Sequence, residues 1–407
     1  MSYPRQYVSS LVEESLGLAA DSLDPDLLPD DLVDSIASAV KGSPSADTSS
    51  PYLDKAILSL LPKIRAASLE RDGFFVRKER WPKGSTFAVC LTHDVDGISH
   101  PWGHVWKTRN RFSRLQLLGA LLGRSLYNNI RLIVAAEDGR GFHSSFYFMS
   151  NEYPLAGLKG LCQDIRNRGW EVGLHGDFGT HDSLEMLNRA ASRLADNLGA
   201  RPTGIREHYL RFDFSKSWPI MQEAGFDYDT TVGNSDRLGF RLGLANPFHP
   251  PGQDWRPLKL LELPLTVMDT TLWGYLKRSE DEGLADCMRL MASAEEVGGL
   301  FTLLWHQEAV QMKGGRNYWK LIDQIKKRSC FTGSGAEIAS WWRAREVPLV
   351  KKGKLISMAG PPPKDLVLRM AIRDGRVPHV TSGSLESRGD YEFLVHVAGS
   401  GFRLEVE

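Results

Sequence analysis

Six short apolar runs, each ending at or beside a polar or charged side chain, do most to limit what this chain can fold into. They are TFAVCLTHD (86–94), SSFYFMS (144–150), EVGLHG (171–176), TGIREHY (203–209), LLELPLT (260–266) and LFTLLWH (300–306). Each has the length and apolar texture of a strand. Between several of them lie stretches with helical periodicity: LKGLCQDIRNRG (158–169), DSLEMLNRAASRLADNLG (182–199) and SWPIMQEAG (217–225). Strands alternating with helices predict a parallel sheet, because parallel neighbours need a long crossover and a helix supplies it. The prediction is an α/β fold, its sheet open or closed into a barrel. Barrel enzymes collect their chemistry where strands end, and several of these runs end in reactive residues.

The flanks differ in texture. Residues 1–80 read as a helical lead-in, with LVEESLGLAADSL (11–23) and YLDKAILSLLPKIRAASLE (52–70) on either side of the Ser/Pro-rich loop KGSPSADTSSP (41–51). GAEIASWWRARE (335–346) reads as a last helix packing its tryptophans onto the sheet. Beyond it, DLVLRMAI, YEFLVHVA and FRLEVE predict a small antiparallel β unit. The expected division is therefore 1–80, 81–346 and 347–407.

Composition removes some functions. The 407 residues carry 50 Lys and Arg against 50 Asp and Glu, and zero net charge argues against broad electrostatic binding to nucleic acid. The four cysteines form no CxxC pair, so they read as reduced, buried thiols. The first residues lack the basic start and apolar core of a secretory signal. The run LQLLGALLGRSLYNNIRLIVAA (115–136) comes nearest to bilayer length but is interrupted by Arg124, Asn128, Asn129 and Arg131. The expectation is a cytoplasmic protein without a transmembrane segment.

The strand ends bring Asp94 and Asp96 from the first run, and His175, Asp177, His181 and Asp182 after the third. Arg206, His208 and Tyr209 follow from the fourth, then Asp227 and Asp229, and finally His306. Each has a plain structural alternative. The acids can cap turns, Arg206 can belong to a buried ion pair, and His181 with Asp182 can cap the following helix. Taken together, one carboxylate and two or three imidazoles suit Zn²⁺ or a similar divalent ion. Such an ion polarises a carbonyl and activates a water.

Over residues 81 to about 345 these segments resemble, in order, the motifs of NodB-homology polysaccharide deacetylases, carbohydrate esterase family four. Thr92-His93-Asp94-Val95-Asp96 is similar to a D-x-D form of the family's first motif, which implies Asp94 as catalytic base and Asp96 as metal ligand. The second motif's paired histidines are represented by His175, with His181 six residues on instead of four. The third motif, R-x-P-Y, reads Arg206-Glu207-His208-Tyr209. With a histidine in place of proline, His208 is the expected third ligand, and His181 stands behind it. The fourth motif is similar in DYDTT, where Asp229 would orient the catalytic imidazole, although its tryptophan is absent. Leu304-Trp305-His306 matches the fifth and implies His306 as the acid.

The resemblance implies a distorted (β/α) barrel and one divalent ion, zinc foremost. The implied reaction is hydrolytic removal of an acetyl group, N-acetyl before O-acetyl, from a carbohydrate or sugar-linked precursor in surface-polysaccharide biosynthesis. Arg206 would keep Asp94 ionised, and a backbone N–H near Tyr209 would hold the oxyanion. Three other readings fit parts of the pattern: a hydrolase of a formamide-type small amide, a non-catalytic carbohydrate-binding protein on the same barrel, and a glycosyltransferase using Asp94-Val95-Asp96. Trp102, Trp106, Trp255 and Trp273 are candidates to stack on a sugar, with core packing as the alternative.

Overall fold

The computed structural model describes residues 2–19, 22–374, 377–389, 391–399 and 401–406. Its first strand, β1 (Phe74–Lys78), is followed by the strands of a central sheet. These are β2 (Phe87–Val95), β3 (Ser145–Met149), β4 (Glu171–Gly176), β5 (Gly204–Glu207) and β6 (Tyr228–Asp229). They continue with β7 (Leu261–Glu262), β8 (Val267–Met268), β9 (Leu300–Leu304) and β10 (Cys330–Gly333). The order is β7-β6-β5-β4-β3-β2-β9-β8, with β10 on the first half of β2, and the pairings are parallel. Strand β7 pairs with one edge and β8 with the other, yet only residues 263–266 separate them along the chain. One short run therefore joins both edges, and the expected α/β barrel is found.

The run 260–266 is not the single strand its sequence predicts. Pro264 lacks the N–H that a ladder needs; within the run only β7 forms, and β8 begins just past its end at Val267. Strands β6, β8 and β10 lie outside the six predicted runs; all three are short, and β10 (CFTG) carries little apolar signal.

Helices cross between the strands as expected. Lys159–Asn167 lies between β3 and β4, Leu184–Leu198 between β4 and β5, Ser217–Glu223 between β5 and β6, and Asn317–Ile325 between β9 and β10. Inside the sheet, Tyr147 and Tyr228 share a hydroxyl hydrogen bond of 2.8 Å, and Tyr228 donates to Glu171 at 2.7 Å. The helix Gly335–Arg345 closes this end: its Ala336 N–H donates to the same Glu171 oxygen at 2.9 Å, and Trp341 and Trp342 are buried against the barrel and the C-terminal unit.

The N-terminal segment holds the helices Tyr3–Leu16, Asp30–Val40 and Tyr52–Asp72, which share the main core with the outer barrel face. It is not wholly helical: β1 closes it and pairs antiparallel with Val367–Ile372. The C-terminal unit is thus two four-stranded antiparallel sheets, one of which borrows a strand from before the barrel. The 115–136 run breaks into the helices Arg114–Leu121 and Ile130–Asp138, and among the described residues no helix is long and apolar enough to cross a membrane.

Candidate active site

Alternation along β2 decides which residues of Thr92-His93-Asp94-Val95-Asp96 meet. Successive side chains of a strand point to opposite faces. Thr92, Asp94 and Asp96 share one face. His93 takes the other, where its ring nitrogens bond the Trp305 carbonyl at 2.7 Å and Glu137 at 3.0 Å. His93 is a buried structural residue, stacked on Phe146.

On β4 and β5, His175 and Arg206 are register partners. The Nδ1–H of His175 donates to the Arg206 carbonyl at 2.9 Å, which turns Nε2 toward the β2 acids. His175 Nε2 lies 3.2 Å from Asp96 Oδ1 and 3.6 Å from Asp94 Oδ2. Arg206 is fully buried. Its NH1 donates to Asp94 Oδ1 at 3.1 Å and to Thr92 Oγ1 at 2.7 Å, while its Nε donates to the Thr230 carbonyl at 3.0 Å. The guanidinium rests on the Tyr147 ring, 5.0 Å from its centroid. Tyr147 fits there because Gly173 faces it: a Cβ at 173 would come within 2.4 Å of the ring.

Beyond β5 the backbone turns sharply, with Tyr209 at φ 60° and Leu210 at φ 52°. Two adjacent left-handed residues without a glycine are strained, and such strain collects at functional sites. The turn lays His208 against His175, with ring centroids 5.0 Å apart, and stacks it on Tyr209 at 4.0 Å. Donor atoms of Asp96, His175 and His208 all lie within 4.8 Å of one another. Asp96 Oδ1 and His175 Nε2 are buried and accept or donate no hydrogen bond in the structure. Two orphaned polar atoms facing each other beside a third donor suit a divalent cation, and the 2-His, 1-carboxylate set suits zinc. Of the two histidines expected to complete this set, the geometry places His208 in it. His181 lies outside the cluster, and the following helix is capped by Ser183 rather than by His181 or Asp182.

His306 follows β9. Its Nδ1 lies 2.6 Å from Asp269 Oδ1, its backbone N–H donates to Asp269 Oδ2 at 2.9 Å, and its Nε2 faces Asp96 Oδ2 at 3.7 Å. This corrects the expectation for Asp229. Its Oδ1 accepts from the N–H and hydroxyl of Thr231, and its carboxyl shares a hydrogen bond with the buried Glu262. Asp229 therefore braces the barrel wall, and Asp269 is the partner of the imidazole. The signal was present in the sequence: Asp269 directly follows the apolar pair Val267-Met268, in the strand-end position that drew attention elsewhere. Asp177 accepts from Ser150 at 2.6 Å, and Asp227 faces Arg343 across 3.9 Å.

Electrostatics separates these groups. Burial raises the Asp96 carboxyl, but the His175 imidazole 3.2 Å away and the fields of His306 and His208 outweigh this and hold it well below the usual range. Burial lowers His306, yet Asp269, followed by Asp96 and Asp94, raises it well above an ordinary imidazole. Burial and then His175 push His208 down, toward the neutral form that ligates metals. Glu308, two residues past His306, is pushed up to about 8 by burial and then by Asp96. Its place near the site was not anticipated from sequence.

Of the candidate tryptophans, Trp255 packs against Tyr7 and Trp273 against Trp305, whereas Trp102 and Trp106 are exposed. The aromatic side chains beside the trio are instead Phe178 and Tyr209, whose centroids are 5.7 Å apart.

No family model matches the chain, and no curated protein does. Solved structures do resemble it. A protein assigned as a polysaccharide deacetylase from Mycobacterium smegmatis is 18% identical, with a TM-score of 0.48 over 67% of this chain and 96% of its own. PuuE allantoinase is 15% identical, with a TM-score of 0.49 over 66% of this chain and 94% of its own. The peptidoglycan deacetylase PdaC from Bacillus subtilis is 13% identical, with a TM-score of 0.37 over 65% and 96%.

Proposed function

We propose that this chain is a metal-dependent hydrolase that removes an acetyl group from the nitrogen of an amino sugar in a carbohydrate. One observation carries the reading: two differently supported proton-handling groups meet the same trio. Asp94, tied to Arg206, reaches it at His175, and His306, tied to Asp269, reaches it at the other oxygen of Asp96. A divalent ion held by Asp96, His175 and His208 would polarise the amide carbonyl and make a water more acidic.

Asp94 then serves as base and takes a proton from the attacking water. Arg206 and Thr92 fix the direction of its carboxylate. His306 carries a proton on Nε2, because Asp269 holds the other nitrogen and raises the imidazole's affinity for protons. It delivers that proton to the departing nitrogen as the C–N bond breaks, releasing acetate and a free amine. A backbone N–H at Tyr209 serves the oxyanion, in the strained turn that the barrel holds in place. The faces of Phe178 and Tyr209, 49% and 67% exposed, offer flat apolar surface to a sugar ring.

The test is acetate release from N-acetylated glucosamine oligomers by the zinc-loaded protein, beside its Asp94→Asn variant. Release that depends on Asp94 supports the reading. Hydrolysis of formamide with no acetate released from any sugar would move the chain to another amide. Saturable oligomer binding without turnover would make it a binding protein.

A further inference from the structure

The segment between β2 and Ile130–Asp138 has an unusual charge. From Gly97 to Ala136 there is no Asp or Glu, while Lys107, Arg109, Arg111, Arg114, Arg124 and Arg131 add six positive charges in a chain of zero net charge. Only Arg131 has an ion pair among the described residues, with Asp164 at 3.3 Å. The other five are exposed and form no ion pair among the described residues, although Arg111 lies within the field of Glu308.

The same segment exposes apolar surface. In the helix Arg114–Leu121 no residue is fully buried. Leu117 and Ala120 pack inward on a satellite core of Val105, Phe112, Leu126, Tyr127 and Met312. Leu115, Leu118, Leu121 and Leu122 are 81%, 56%, 69% and 83% exposed, and their spacing of three and four places them together on the outer side. Trp102 and Trp106 add exposed indoles nearby in sequence, with Arg109 lying 4.5 Å over the Trp106 ring. Single exposed leucines are ordinary, but four leucines and two tryptophans on one acid-free segment mark an interaction face.

We infer that residues 97–128 dock the chain on an anionic lipid surface. The occupant follows from charge complementarity: unpaired cations attract anionic headgroups while leucine and indole side chains enter the interfacial layer. The segment is also built onto the site. Gln307, next to His306, donates to the Gly97 carbonyl at 2.7 Å and accepts from the Asn129 N–H at 2.8 Å, so one side chain holds both ends of the segment. Docking therefore brings the site to carbohydrate presented at that surface. This last step rests on the deacetylase reading, but the docking does not.

The experiment is co-sedimentation of the full chain with vesicles of phosphatidylcholine alone or mixed with phosphatidylglycerol. Expected is retention on the anionic vesicles only, weakened by salt as screening shortens. Arg109→Glu should weaken it by about fivefold per charge removed, and Leu118→Glu with Leu122→Glu by about tenfold or more. Both leucines are exposed, so an unchanged melting temperature checks that the variant folds. Asp94→Asn should bind vesicles like the natural chain, which separates failure of docking from failure of the reaction. No retention at low salt, or equal retention of the leucine variant, overturns the proposal. A concentration-dependent dimer lost in that variant, without vesicle binding, assigns the face to a second copy instead and also overturns it.

Discussion

Asp269 holds His306 at two points: Oδ1 lies 2.6 Å from the ring Nδ1, and Oδ2 accepts the backbone N–H at 2.9 Å. A carboxylate bound in this way fixes both the ring's direction and the nitrogen that faces outward. It also raises the imidazole's proton affinity, so His306 stays charged further into alkaline pH.

Replacing Asp269 with Asn should lower turnover by about 10²-fold or more, in the range expected for a general acid left unsupported. The alkaline limb of the pH–rate profile should move to lower pH, because the group that raises His306 has lost its charge. Asp229→Asn should leave that limb in place. A limb that moves with Asp229 and stays with Asp269 would reverse the assignment.

His208→Ala should reduce zinc affinity by at least about 10–100-fold, the loss usual even for a residue standing behind a ligand. His181→Ala should retain the metal, since His181 lies outside the donor cluster. Metal content by mass spectrometry after dialysis decides between them.

Asp94→Asn should cut turnover by about 10³-fold, within the 10²–10⁴ of a lost base. Its metal content should stay near that of the natural chain, because Asp94 lies outside the cluster of three donors. Metal lost in parallel with activity would make Asp94 a ligand.

Asp229 and Glu262 predict a pH effect on stability. Burial raises both carboxyls, with further repulsion between the two acids raising Glu262. The folded chain therefore holds a proton here that the unfolded chain releases above the ordinary range of about 4. Where the native state binds more protons, stability falls as pH rises. Glu262→Gln retains the donor and acceptor of the protonated acid. It should flatten this decline and add on the order of 1–2 kcal/mol near about pH 8, read by denaturant melts.

Much of this arrangement was legible before the structure. The alternation of Asp94 and Asp96, and their placement after an apolar run, is a property of strand period alone. Arg206 and His175 could be read as strand-end residues, and their register pairing brings them together. What was not legible depended on loops. Spacing cannot tell whether His181 or His208 joins the donor cluster of Asp96 and His175; the left-handed backbone at Tyr209 and Leu210 brings His208 there. Asp229 and Asp269 both follow short apolar stretches, and only their partners distinguish them. Strand β1 reads as the tail of a helical segment because its pairing partner lies about 290 residues away.

The residues 261–268 that join the two edges of the sheet end immediately before Asp269. The donor trio comes from β2, β4 and the turn after β5, none of them a strand of that seam. With an ion bound at the trio, a chain whose seam has loosened would keep its three donors together while the histidine's counter-charge drifted away. Heat would then silence the protein before it released metal, and bound zinc would be a poor assay of how much of a preparation is alive.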